Sequence, residues 1–101
     1  MIIAVDFDGT LCENAFPAIG KPKQNVIDYI KKQQEEATII LWTCRQGILL
    51  KRAERWCREQ GIRLDYINKN APSMIKLFNG DCRKIFANIY IDDKSLNAED
   101  I

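Results

Sequence analysis

The chain has 101 residues, 47% of them apolar and 29% charged, with a formal net charge of +1. That length supports one compact domain with a single core and leaves little room for a second. The near-neutral balance argues against a broad nucleic-acid or membrane footprint, and the absence of histidine removes Ser-His-Asp, Cys-His and histidine-phosphate chemistry.

Ile2-Ile3-Ala4-Val5 is an apolar run that predicts a buried strand, and it ends on Asp6-Phe7-Asp8-Gly9-Thr10. In extended backbone, residues i and i+2 project to the same face, so Asp6 and Asp8 can converge on one cation or one phosphoryl group. Gly9 and Thr10 suit a turn that brings backbone N–H groups toward an anion. Residues 12–23, with Pro17, Gly20 and Pro22, read as a loop whose apolar Phe16 and Ile19 make it a small flap over the site.

Val26, Ile27 and Ile30 give a helical stripe within residues 25–36. Residues 38–42 are β-branched or apolar without interruption, as in a strand covered on both faces, and Thr43 follows them. Leu49, Ala53, Trp56 and Cys57 then share one face of a second helix, which Gly61 closes. Residues 63–68 read as a third, weaker strand. Pro72 opens a short helix through Phe78 with Gly80 as its stop, and the apolar run 85–91 ends on Asp92-Asp93. Strands alternating with helices predict an α/β domain: a small parallel sheet with helices on both faces and ligands bound beyond the carboxyl ends of the strands.

Cys12, Cys44, Cys57 and Cys82 form no C-x-x-C pair, which argues against zinc and for reduced thiols in a cytoplasmic protein. The apolar runs are strand-sized and the N-terminus has no basic lead or cleavage site, so the sequence predicts neither a membrane span nor a secretion signal. Cys57 and Arg63 have the C-x5-R spacing of cysteine-dependent phosphatases, but Cys57 sits mid-helix beside Trp56 and reads as core. Trp42 and Trp56 both read as core as well.

Three strand ends therefore carry chemistry: Asp6 and Asp8 on the first, Thr43 on the second, Asp92 and Asp93 on the last. Four converging carboxylates repel one another, and a hard divalent cation, best Mg²⁺, relieves that repulsion. Beside such an ion one carboxylate can attack phosphorus and a second can serve as acid and base. Thr43 can donate to a phosphoryl oxygen, and a lysine can offset charge in the transition state. Arg45 and Arg83 read either as phosphate contacts or as ordinary surface charges.

These residues resemble the haloacid dehalogenase (HAD) superfamily in order and strand-end context. Asp6-Phe7-Asp8-Gly9-Thr10 looks like its first motif, D-x-D-G-T. Thr43 looks like the second, Lys84 is the candidate for the third with Lys69 and Lys76 as alternatives, and Ile91-Asp92-Asp93 is similar to the fourth. The resemblance implies a Rossmann-like three-layer fold and a Mg²⁺-dependent phosphohydrolase working through an aspartyl-phosphate. It implies Asp6 as nucleophile and Asp8 as general acid/base. Mg²⁺ would be held by Asp6, the Asp8 backbone carbonyl and Asp92, with Asp93 direct or through water. Thr10 and Arg45 are the candidate substrate contacts.

In family terms the chain looks like a minimal member without a cap, close to small phosphohydrolases with a W-[ST]-x-R … R-K … I-D-D pattern. An open site of that kind suits a small phosphorylated metabolite or a phosphorylated nucleic-acid end. The chain ends nine residues after Asp92, which predicts a weakly supported sheet edge or a partner subunit in a homo-oligomer. The rival expectation is a binding module that keeps the cation or phosphate site without turnover.

Overall fold

A computed structural model describes all 101 residues, Met1–Ile101. Four strands, β1 (Ile2–Val5), β4 (Thr38–Leu41), β5 (Tyr66–Ile67) and β6 (Ile89–Ile91), form a parallel sheet in the order β5-β4-β1-β6. The helices are α1 (Gln24–Gln33), α2 (Gly47–Glu59) and α3 (Pro72–Phe78), and the chain closes with a 3-10 turn over Ala98–Asp100. Between β1 and α1 the flap is itself a β-hairpin, β2 (Cys12–Ala15) antiparallel to β3 (Ala18–Pro22), with a cis bond between Phe16 and Pro17.

The period-two alternation of β1 and β4 divides the core into two unequal layers. Ile3, Val5, Ile39 and Leu41 face α1 and α2 and pack with Ile27, Ile30, Ala53, Cys57 and Ile62 in a cluster of 13 buried residues. Trp56 meets Phe7 edge-on at 5.4 Å in the same layer, as expected of a core tryptophan. The opposite face carries only six buried residues, among them Ile2, Ala4, Ile40 and Ile85, under α3 and the 81–88 segment. None of the side chains of α3 is fully buried, so this face is thinly covered.

Several predicted elements shift. α1 ends at Gln33 rather than 36, and β4 stops at Leu41, leaving Trp42 outside the strand. Of residues 63–68 only Tyr66–Ile67 pair, because Arg63 and Asp65 instead bind each other and Asp65 Oδ2 accepts from the Ile39 N–H. Of residues 85–91 only the last three form a strand; Ile85 and Ala87 serve the thin core layer instead. Gly61 takes the left-handed conformation that closes α2, but at α3 that role belongs to Asn79, with φ of 57°, and not to Gly80.

β1 is central, with β4 and β5 to one side and β6 to the other, so the chain reverses its winding direction between β1 and β6. A crevice opens at the carboxyl ends of those two strands, the usual ligand position in such sheets. Truncating Ile39, fully buried beneath α1 and α2, should cost about 2–5 kcal/mol in urea unfolding of Ile39→Ala. A loss below about 1 kcal/mol would contradict this account of the thick layer.

Candidate functional site

Both strands that border the crevice end in carboxylates, and their parallel register aligns those ends. Val5 pairs with Ile91, and the Asp6 N–H donates to the Ile91 carbonyl at 3.0 Å. This brings Asp6, Asp92 and Asp93 together, with one ligand oxygen from each within 4.8 Å of the others. Gly9 follows with φ of 86°, and a Cβ there would overlap the Asp93 carboxylate, so only glycine lets the turn pass this close. Thr10 is buried, and its hydroxyl accepts from the Asp93 N–H at 3.2 Å. It therefore helps to position the acidic group.

Asp6 carries the electrostatic cost of this arrangement. Burial, and then the charges of Asp92, Asp93 and Asp8, push its carboxyl from 3.8 up to about 6 against the opposing hydrogen bond from the Phe7 N–H. Asp93 moves the other way: burial would raise it, but hydrogen bonding with Asp92 and the nearby Lys94 ammonium hold it below the usual range.

The side chain of Asp8 stands apart from this trio. Both of its oxygens accept from Arg45, Oδ2 from Nε and Oδ1 from Nη2, each at 2.8 Å. Arg45 is only 1% exposed, and Asp8 17%. The remaining guanidinium hydrogens reach the carbonyls of Pro17 at 3.2 Å and Ala18 at 2.9 Å, while the Phe7 and Phe16 rings lie 5.0 and 5.1 Å from its central carbon. Hydrogen bonding to Asp8 raises the Arg45 pKa further. Arg45 is thus neither a surface charge nor a free phosphate contact. It is a buried clamp joining the end of β1 to the tip of the β2–β3 hairpin.

Thr43 lies two residues beyond β4, half-buried, and is pinned on both sides by Asn68. The Asn68 Oδ1 accepts from the Thr43 N–H at 2.8 Å and its Nδ2 donates to the Thr43 carbonyl at 2.9 Å. The Thr43 hydroxyl accepts from the Arg45 N–H at 3.1 Å, leaving its proton to donate. Asn68 holds this position with φ of 53°, a conformation asparagine tolerates.

Among the three lysines, Lys84 shares a groove of about 890 Å³ with Asp6 and Asp92. Lys69 instead lies over the Tyr66 ring at 5.5 Å, and Lys76 is exposed on α3. The Lys84 segment is organised by Asn70, which sequence reasoning missed. It is 2% exposed and binds the Asp81 carboxylate, the Cys82 carbonyl and the Phe86 N–H. Arg83 is exposed and lies outside the groove. Lys23, also unremarked in the sequence, donates from Nζ to the Gly9 carbonyl at 2.8 Å. All four cysteines are unpaired, and burial pushes the Cys57 thiol up to about 12, which removes it as a nucleophile.

A parallel Rossmann-like sheet with an acidic group at its switch point defines the class of this protein. No protein-family model and no curated protein matches the chain. It is similar to the solved structure of a conserved protein coded by a locus from Bacteroides thetaiotaomicron, at 40% identity and a TM-score of 0.82, covering 95% of this chain and 78% of that one. The chain belongs to the family of that protein. No helix here is long and apolar enough to cross a membrane.

Because folding raises the Asp6 pKa, the folded chain binds this proton more tightly than the unfolded one. Stability without metal should therefore fall as pH rises from 3.8 through about 6. In chelator at pH 8, Asp6→Asn should melt above wild type by on the order of 5 °C, with the gap closing toward pH 4. Equal melting at both pH values would contradict the assignment. Arg45→Met, which strands a mostly buried Asp8, should cost about 3–5 kcal/mol in urea unfolding and expose the hairpin tip to proteolysis. An unchanged hairpin would contradict the clamp.

Proposed function

We propose that the chain is a divalent-cation-dependent phosphomonoesterase of the HAD type, with Asp6 as nucleophile. The observation that carries this reading is the convergence of Asp6, Asp92 and Asp93 at the switch point. An oxygen-only donor set suits a hard cation, and Mg²⁺ bound with several retained waters fits it best. Asp6, Asp92 and Asp93 would hold the ion, which supplies charge neutralisation at the phosphoryl group.

In this reading an Asp6 oxygen bonds to phosphorus as the bond to the leaving oxygen breaks, and Asp8 gives that oxygen its proton. Water then attacks the aspartyl-phosphate with Asp8 taking a proton, releasing inorganic phosphate and free Asp6. Asp8 does this only after its carboxyl swings off Arg45 and takes a proton from solvent, so clamp release and chemistry are linked. The Thr43 hydroxyl proton and the Lys84 ammonium are the donors for the transferring oxygens. The substrate is a phosphorylated metabolite or nucleic-acid end, and the exposed edge of β6 is where a second copy would pair.

One observation favours a second reading. With both Asp8 oxygens committed to Arg45, the fold can hold a cation or phosphate without turning it over. Phosphate release from nucleotides, sugar phosphates and phosphorylated oligonucleotides, with and without Mg²⁺, separates the two. The esterase reading expects Mg²⁺-dependent release that Asp6→Asn lowers by at least ~10³-fold. Release that survives in Asp6→Asn would remove the nucleophile, and cation binding with no release would establish the binding module.

A further inference from the structure

The thinly covered face of the sheet leads directly into the acidic crevice. Ala4, Asp6, Trp42, Tyr90 and Asp92 all border the same groove of about 890 Å³, whose other wall is the 95–98 segment. The register sets this arrangement. Ala4 pairs with Tyr90 across β1 and β6, and the Trp42 N–H donates to the Val5 carbonyl, which sets Trp42 beside Asp6.

Those rings are exposed and yet held. Trp42 is 37% exposed and Tyr90 39%, so Trp42 is not the core residue its apolar run predicts. Their centroids are 5.7 Å apart, tilted by 49°. The Tyr90 hydroxyl donates to the Ile85 carbonyl at 2.6 Å and accepts from the Ala87 N–H at 3.1 Å, which fixes the ring before any ligand arrives. A single exposed aromatic is ordinary on a protein surface. Two in contact, one of them anchored through its hydroxyl, in a groove that also holds Asp6, Asp92 and Lys84, have the composition of a small-molecule site: apolar walls with a few convergent polar groups.

We propose that Trp42 and Tyr90 form a stacking subsite for a planar aromatic ring carried by the phosphomonoester whose phosphate reaches Asp6. The subsite rests on the esterase reading for its orientation: phosphate at the Asp6 end and ring against the aromatic wall. The groove volume lies within the roughly 300–1,000 Å³ range of small-molecule pockets, enough for a nucleoside-sized group. The shared chemistry is an aromatic ring on a phosphate, which both a nucleoside monophosphate and phosphotyrosine supply.

Phosphonates test this without turnover, because their P–C bond is not a hydrolysable ester. Calorimetric titration of the full chain in Mg²⁺ should give phenylphosphonate an affinity roughly tenfold above that of methylphosphonate. Trp42→Leu, which keeps apolar area but removes the ring, should erase that difference, and Trp42→Phe should keep most of it. Circular dichroism of both variants establishes that they are folded. Competition by the phosphonate analogues of adenosine monophosphate, phosphotyrosine and ribose 5-phosphate then identifies the source of the ring, with the last expected to compete least. Equal affinities for the two phosphonates, or a preference unchanged in folded Trp42→Leu, would overturn the subsite even if the chain hydrolyses phosphate esters. A ring preference that depends on Trp42, in a chain that releases phosphate from no ester, would uphold the subsite and remove the esterase reading.

Discussion

Burial of Asp6 beside the other carboxylates at the ends of β1 and β6 is the constraint on which the candidate site depends. Parallel pairing fixes Asp6 opposite Asp92, and the tight turn at Gly9 lets Asp93 close in from the other side. A fourth carboxylate in the same space would add further unfavourable charge, and Arg45 draws the Asp8 side chain out of the group. What remains is a trio in which burial and charge together make Asp6 the proton acceptor. A divalent cation held there would relieve that repulsion more completely than a proton, because it would interact with all three carboxylates at once.

The Arg45 clamp shows how a single side chain ties a site together. One guanidinium spans the β1 end, the first turn of α2 and the hairpin tip, so the flap is held by the same residue that orients Asp8. Such a pair is weak evidence for stability, since desolvation offsets much of its attraction. Its value lies in geometry: of five directional hydrogen bonds, two hold Asp8, one reaches Leu49 and two fix the hairpin tip at Pro17 and Ala18. The uneven layering of the core serves the site as well. Thirteen buried residues under α1 and α2 provide the rigid side, while the opposite face stays open enough to leave a groove running to Asp6.

The sequence was most legible where burial is complete. Ile2–Val5 and Ile39–Leu41 are apolar on both faces, and the helical stripe of α2 is regular, so their placement follows from pattern alone. The strand-end acids were legible because an apolar run that stops abruptly on Asp marks the point where the chain leaves the core. The β2–β3 hairpin was visible only as a flap, since Glu13 and Asn14 are exposed and give no alternation. Arg45 and Trp42 were misread for opposite reasons. Composition puts arginine outside and tryptophan in an apolar run inside, whereas long-range pairing with Asp8 buries the first and a thin helical cover exposes the second. Asn68 and Asn70 act through contacts distant in sequence, which no local pattern records.

The central claim is that Asp6, Asp92 and Asp93 form one cation site while Asp8 remains with Arg45. Anomalous diffraction from crystals grown with Mn²⁺ in place of Mg²⁺ tests it most directly. The account predicts a single strong peak among the three carboxylates at the mouth of the β1–β6 crevice, with the Asp8–Arg45 pair intact in the absence of substrate. A peak elsewhere, or none at millimolar Mn²⁺, would contradict it.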